Sequence, residues 1–157
     1  MCPRGKFSGI TGSPSDDDCI ACIPGKYLDE RGQTAASDCI NCVIGKYLDS
    51  SGNDAATDCV DCAAGRYVDV PGSGSDCIPC GLGKYVDVHG SDAESDCIGC
   101  MAGKYIDVPS SDSSSDCRQC DRGRYAPGLG NDACSDCPSG TYLESRGATD
   151  DTACRES

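Results

Sequence analysis

Sixteen cysteines are the residues of this 157-residue chain best able to do chemistry. Fourteen form seven Cys-x2-Cys pairs, from Cys19 and Cys22 to Cys134 and Cys137, and Cys2 and Cys154 stand alone at the ends. Such cysteines can form disulfides, bind zinc or run thiol redox chemistry. A disulfide set joining Cys2–Cys19, Cys22–Cys39, Cys42–Cys59, Cys62–Cys77, Cys80–Cys97, Cys100–Cys117, Cys120–Cys134 and Cys137–Cys154 uses all sixteen. Each closed loop is worth roughly 3 kcal/mol in the chain-entropy model. Zinc stands beside it, since Cys19-x2-Cys22-x16-Cys39-x2-Cys42 has zinc-ribbon spacing. Its difficulty is that seven pairs cannot be grouped in twos, and both terminal cysteines are left over. Redox chemistry wants a helix N-terminus or cationic surroundings to lower a thiol pKa; here the pairs are flanked by Asp and followed by Gly.

The elements that must position these cysteines are copies of one unit. It runs Cys, two variable residues, Gly, a basic residue, an aromatic, an aliphatic, Asp, a polar loop and Asp-Cys. Units start at Cys2, Cys22, Cys42, Cys62, Cys80, Cys100, Cys120 and Cys137, spaced 20, 20, 20, 18, 20, 20 and 17 residues apart. The organisation is one array over 1–157, with units 2–19, 22–39, 42–59, 62–77, 80–97, 100–117, 120–134 and 137–154. Short, strict periods of this kind mark repeat architectures. All the aromatics occupy one position: Phe7, Tyr27, Tyr47, Tyr67, Tyr85, Tyr105, Tyr125 and Tyr142. One aromatic and a few aliphatics cannot fold a unit alone, so cross-links and stacking must stabilise it. The glycine before the basic residue predicts a turn with positive φ or a close backbone approach. Gly83 to Val88 reads as a short strand, and the Gly, Pro, Ser and Asp of the loops read as turns. The fold class expected is small, disulfide-rich, mostly irregular β: an elongated rod of eight stacked units with almost no helix.

The dipeptides between units are Ile20-Ala21, Ile40-Asn41, Val60-Asp61, Ile78-Pro79 and Ile98-Gly99, then Arg118-Gln119 and Ser135-Asp136. An aliphatic contact between units is expected at the first five and lost towards the C-terminus. A cysteine at about one residue in ten belongs to an oxidising compartment, so the chain is expected to be extracellular or at the cell surface. It has no N-terminal apolar region and no stretch approaching about 20 apolar residues, so membrane insertion is not expected. It reads as the mature part, or an excerpt, of a longer exported protein. The formal charge of -13 disfavours nucleic acid and anionic membranes as partners.

Cys-x-x-Gly-Lys-Tyr, closed by a later Cys and followed by x-x-Cys, resembles the ephrin-receptor-like cysteine-rich repeat. It is also similar to the single-disulfide module that opens many tumour-necrosis-factor-receptor cysteine-rich domains. The resemblance covers essentially the whole chain. It implies slender irregular β modules stacked end to end, each closed by its own disulfide. The two-disulfide module that alternates with this one in cytokine receptors is absent.

The aromatic column is expected to be a stacking spine, each ring over its own disulfide and the next unit. Two charge columns recur with the repeat: Lys26, Lys46, Arg66, Lys84 and Lys104, and Asp29, Asp49, Asp69, Asp87 and Asp107. They are solvated surface or assembly charges, a basic line on one molecule meeting an acidic line on another. No cofactor is expected. Loops such as Asp49 to Asp54 offer oxygen donors for weak calcium binding, although no bidentate Glu recurs at a fixed offset. No catalytic constellation is present: the lone His89 lies in a loop, and the serines have no recurring base partner. Asn41, Asn53 and Asn131 lack the N-glycosylation sequon, while the serines from Ser110 to Ser115 and the threonines offer hydroxyls for O-glycans. These features predict a non-enzymatic extracellular structural repeat protein, a building block of a filament, appendage or matrix, whose partners are itself or other extracellular proteins. The alternative is a ligand-binding or adhesive receptor ectodomain or stalk.

Overall fold

The computed structural model describes residues 1–10, 12 and 15–156. Each unit is built on a hairpin of two-residue strands. In the second unit, Cys22 opens a tight turn whose Gly25 takes φ 85°, a conformation open to glycine at little cost. The chain leaves that turn as the strand Lys26–Tyr27, which pairs antiparallel with Ile40–Asn41 in the register Lys26 to Asn41 and Tyr27 to Ile40. The same register recurs at Lys6–Phe7 with Ile20–Ala21, Lys46–Tyr47 with Val60–Asp61, and Lys84–Tyr85 with Ile98–Gly99. It holds too at Lys104–Tyr105 with Arg118–Gln119, Arg124–Tyr125 with Ser135–Asp136, and Thr141–Tyr142 with Arg155–Glu156. No α-helix is present among the described residues. Single 3₁₀ turns such as Ala36–Asp38 and Ser114–Asp116 lead into the closing cysteines.

The strand expected over Gly83 to Val88 is shorter than its residues suggest, ending at Tyr85. Val86 leaves the hairpin ladder because its backbone bonds go elsewhere. Its N–H donates to Ser111 (3.2 Å), and its carbonyl accepts from Gly65 N–H (2.7 Å). Stacking on other units therefore takes the hydrogen bonds that a longer strand would use.

The chain divides into two compact parts. The first comprises 1–63, 67–78 and 89–93, with disulfides Cys2–Cys19, Cys22–Cys39, Cys42–Cys59 and Cys62–Cys77. Here Gly5 N–H donates to Leu28 (2.8 Å) and Cys22 N–H to the Gly5 carbonyl (2.9 Å). Ser8 N–H reaches Gln33 (3.1 Å), and Gly32 N–H reaches Cys2 (3.0 Å). Four backbone hydrogen bonds thus tie the first unit to the second. Glycine 25 also lies against the unit after next, since a Cβ there would run into the Gly72 carbonyl.

The second part comprises 64–66, 79–88 and 94–157, with disulfides Cys80–Cys97, Cys100–Cys117, Cys120–Cys134 and Cys137–Cys154. The same bonds recur: Gly83 N–H to Ile106 (2.9 Å), Cys100 N–H to Gly83 (2.8 Å) and Gly130 N–H to Cys100 (2.8 Å). A Cβ on Gly83 would strike the Gly130 carbonyl, again two units on. In both parts the buried side chains are chiefly disulfide cysteines, opening and closing, and the aliphatic after the aromatic, including Leu28, Leu48, Val68, Val86 and Ile106. Each unit's core is little more than one disulfide and one aliphatic. Stacking completes it.

Candidate interaction surface

All sixteen cysteines are disulfide-bonded, each opening cysteine to the closing cysteine of its own unit, and none is free among the described residues. With every thiolate consumed, neither zinc ligation nor thiol exchange has a ligand or nucleophile to use. Among the described residues, no group of three or more His, Cys, Asp or Glu side chains converges to hold a metal ion.

The aromatic column sits differently from its expected place. Phe7 packs on Cys22, Leu28 and Cys39, the core of the following unit, and Tyr27 packs on Cys42, Leu48 and Cys59. Tyr47 and Tyr85 likewise rest on the clusters centred on Val68 and Ile106. The part of the expectation that placed each ring over its own disulfide is corrected. The aliphatic next in sequence occupies that place, because consecutive residues leaving the hairpin point to opposite sides. Tyr67, Tyr105 and Tyr125 are half-buried and Tyr142 is 43% exposed.

The charge columns divide. Lys46 pairs with its cross-strand partner Asp61 at 2.7 Å, and Lys84 reaches Glu94 at 3.5 Å. Asp107 pairs with Arg118, whose guanidinium also lies 5.0 Å from the centre of the Tyr105 ring. Each pair lies within one hairpin or the loop that hairpin closes. Asp29, Asp49, Asp69 and Asp87 point to solvent, while Lys26, Arg66 and Lys104 are half-buried.

The aspartate before the closing cysteine has a function that the sequence reading missed. Asp38 accepts from the N–H groups of Thr34 (3.1 Å) and Ala35 (2.9 Å), and Asp58 does the same for Asp54 and Ala55. Asp18 accepts from both the N–H and the hydroxyl of Ser15, and the hydroxyl bond is the leading reason its carboxyl pKa lies below the usual range. In the eighth unit, where Ala153 replaces this aspartate, Asp150 accepts from Thr152 N–H instead (3.0 Å). The signal was present in the recurrence of Asp three or four residues after the capped N–H groups, a spacing typical of side-chain caps.

The aliphatics between units are also corrected. Ile20, Ile40, Val60, Ile78 and Ile98 make no buried junction; they are 58, 43, 51, 44 and 48% exposed. Ile40 illustrates the reason: it stands opposite Tyr27 on the outer strand of its hairpin, while the junction is made by backbone and by the aromatic column. The first five units therefore each carry an outward apolar side chain at the same position.

The family model described as tyrosine-protein kinase ephrin type A/B receptor-like matches residues 45–97 and 103–154. The chain belongs to this family. No curated protein matches it. The ephrin-receptor-like repeats are a non-catalytic, receptor-type ectodomain module, and with eight disulfides they point to an extracellular or cell-surface location. No helix among the described residues is long and apolar enough to cross a membrane.

Proposed function

We propose that this ephrin-receptor-like chain is a structural building block of an extracellular filament, appendage or matrix. The observation that carries the reading is the recurrence of one outward apolar residue, exposed at Ile20, Ile40, Val60, Ile78 and Ile98. A single exposed isoleucine means little, but a regularly repeated one gives multivalent contact, in which weak sites add through high effective concentration. The exposed acidic column offers a second repeated feature. Sameness serves a lattice better than a receptor, which needs at least one distinctive unit. Electron microscopy of the oxidised protein from its natural source tests the proposal. Uniform filaments with an axial repeat are expected; isolated particles at every concentration would overturn it. Dissolution by salt would assign the contacts to the charge columns, and indifference to salt would assign them to the apolar residues.

A second reading, a ligand-binding ectodomain or stalk, is supported by the family match and by the sixth unit. There Arg118 replaces the aliphatic and joins Asp107 and Tyr105 in one cluster. Arginine beside an aromatic ring is a common recognition pair. A soluble partner that binds the chain and is lost on Arg118→Ile would favour this reading over assembly.

A further inference from the structure

The sixth unit shows how one position of the repeat holds a guanidinium. Arg118 stands opposite Tyr105 in the hairpin register, where earlier units carry an aliphatic. Its guanidinium pairs with Asp107, two residues after the ring, and lies 5.0 Å from the ring centre. A carboxylate at the fork and a ring beneath the plane suit a guanidinium better than an ammonium. The same trio recurs as Tyr142, Glu144 and Arg155, which line one cavity in the eighth unit. The ring and the acid are not special to these units. The second carries Tyr27 and Asp29, the third Tyr47 and Asp49, and the fifth Tyr85 and Asp87, at the same two positions. There the residue opposite the ring is Ile40, Val60 or Ile98, so the hairpin supplies no arginine. Those three rings are half-buried, as Tyr105 is, and the three aspartates are exposed. Among the described residues, none pairs with or donates to the carboxylates of Asp29, Asp49 and Asp87.

We propose that the second, third and fifth units each bind an arginine side chain of a partner protein. The incoming guanidinium takes the place beside Tyr and Asp that Arg118 takes in the sixth unit. Charge selects the occupant: the chain carries 26 acidic residues against 13 basic ones, so a basic, arginine-bearing segment is drawn to this face more than a second copy is. The exposed aliphatic opposite each ring, Ile40, Val60 or Ile98, gives the methylene stem of the arginine an apolar surface to lie on. One such contact at an exposed site is weak. The second and third units belong to one compact part and offer two such places to one segment, so their affinities combine through effective concentration. The inference deepens the ligand-binding reading above and rests on it, naming the chemistry of the partner.

The test titrates the 157-residue oxidised chain with acetylated, amidated tetra-arginine and reads the tyrosine ring protons by NMR. The rings of Tyr27, Tyr47 and Tyr85 should shift, and that of Tyr105, already covered by Arg118, should not. Tetra-lysine of the same charge should bind at least about threefold more weakly. Asp29→Asn with Asp49→Asn should raise the apparent Kd read at Tyr27 and Tyr47 at least about tenfold, and leave that at Tyr85 unchanged. Asp17→Asn with Asp54→Asn removes the same charge from exposed carboxylates outside the trio, and should change affinity less than about twofold. Arg118→Ile gives the sixth unit the pattern of the fifth, and Tyr105 should then join the rings that shift. Rings that stay still with tetra-arginine overturn the inference. So does a wild-type Tyr105 that shifts with the others, tetra-lysine that binds as tightly, or an equal loss from both aspartate pairs, each of which reduces the effect to general attraction of charge. These failures leave the ligand-binding reading to its own test, because a soluble partner lost on Arg118→Ile uses Arg118 itself. A chain that binds no soluble partner sinks that reading instead.

Discussion

In the first, second, third and sixth units a carboxylate one residue before the closing cysteine holds the end of the long loop by accepting the backbone N–H three residues earlier. In the second and third it also accepts the one four residues earlier. Asp38→Ala removes an acceptor from two donors, Thr34 and Ala35, and should cost about 1 kcal/mol. Hydrogen exchange at those two amides should quicken, and unchanged protection would show the cap to be idle. Acid should loosen the same corners. Asp18 is held below the ordinary carboxylate range by its Ser15 hydrogen bonds, and Asp150 chiefly by the Thr152 hydroxyl, then by Thr149. A native pKa below the unfolded one means stabilisation is present above the unfolded aspartate pKa, near 4, and is lost as pH falls through the native value. Carbon-13 titration should place both midpoints below that of an ordinary aspartate, and Thr152→Val should move Asp150 back up. Two midpoints at the ordinary value would refute the assignment. These caps were readable only in part. The Asp-Cys recurrence was plain, but an acidic residue beside a disulfide is equally consistent with bare solvation, and only the loop geometry brings the donors to it.

The hairpin and its turn are the elements on which the stacking depends, and the column glycine is their least replaceable residue. Gly25→Ala puts a methyl into the Gly72 carbonyl and forces an alanine to φ 85°. The strain alone is worth about 1–2 kcal/mol, and the collision adds to it. Gly128→Ala bears similar strain with nothing to strike, so the difference between the two unfolding curves isolates the contact. Equal losses would mean that the close approach carries no energy. Ser110 presents the converse case, a φ of 61° where comparable loops place glycine at Gly72 and Gly90. Ser110→Gly should therefore stabilise its unit by about 1 kcal/mol. At this scale the sequence was informative about the type of turn, since a glycine recurring before a basic residue asks for a positive φ or a close approach. It could not say what approaches, because the contact lies two units away and no residue pattern marks the partner carbonyl. Nor could it place the aromatic, since the alternation of Tyr and Leu fixes opposite faces without saying which face meets its own disulfide.

Contacts that skip a unit change how damage spreads through the molecule. In a repeat array with nearest-neighbour coupling alone, removing one disulfide should weaken that unit and the two beside it. The first compact part allows a sharper expectation, because the second unit is bound to three others. Phe7 of the first unit packs on Cys22–Cys39, Gly25 N–H donates to Leu48 of the third, and Gly25 lies against Gly72 of the fourth. Replacing Cys22 and Cys39 together by alanine should cost about 2–4 kcal/mol locally. The intact oxidised chain should then contain seven disulfides rather than eight, with no mispaired thiols, because every remaining cysteine keeps its own partner. Amide exchange read along the first part should quicken at Ser8 and Gly52, whose acceptors Gln33 and Cys22 belong to the damaged unit. It should also quicken at Gly72, whose own acceptor, Cys42, lies in the intact third unit. Faster exchange there can arrive by two routes: through the third unit or directly through the Gly25 contact. Gly25→Ala with both cysteines intact separates them, because it strikes the fourth unit while leaving the second cross-linked. If that variant alone quickens Gly72 as much as loss of the disulfide does, the skip contact transmits stability. If Gly72 responds only when the third unit does, the coupling runs through neighbours and the close approach is a packing coincidence.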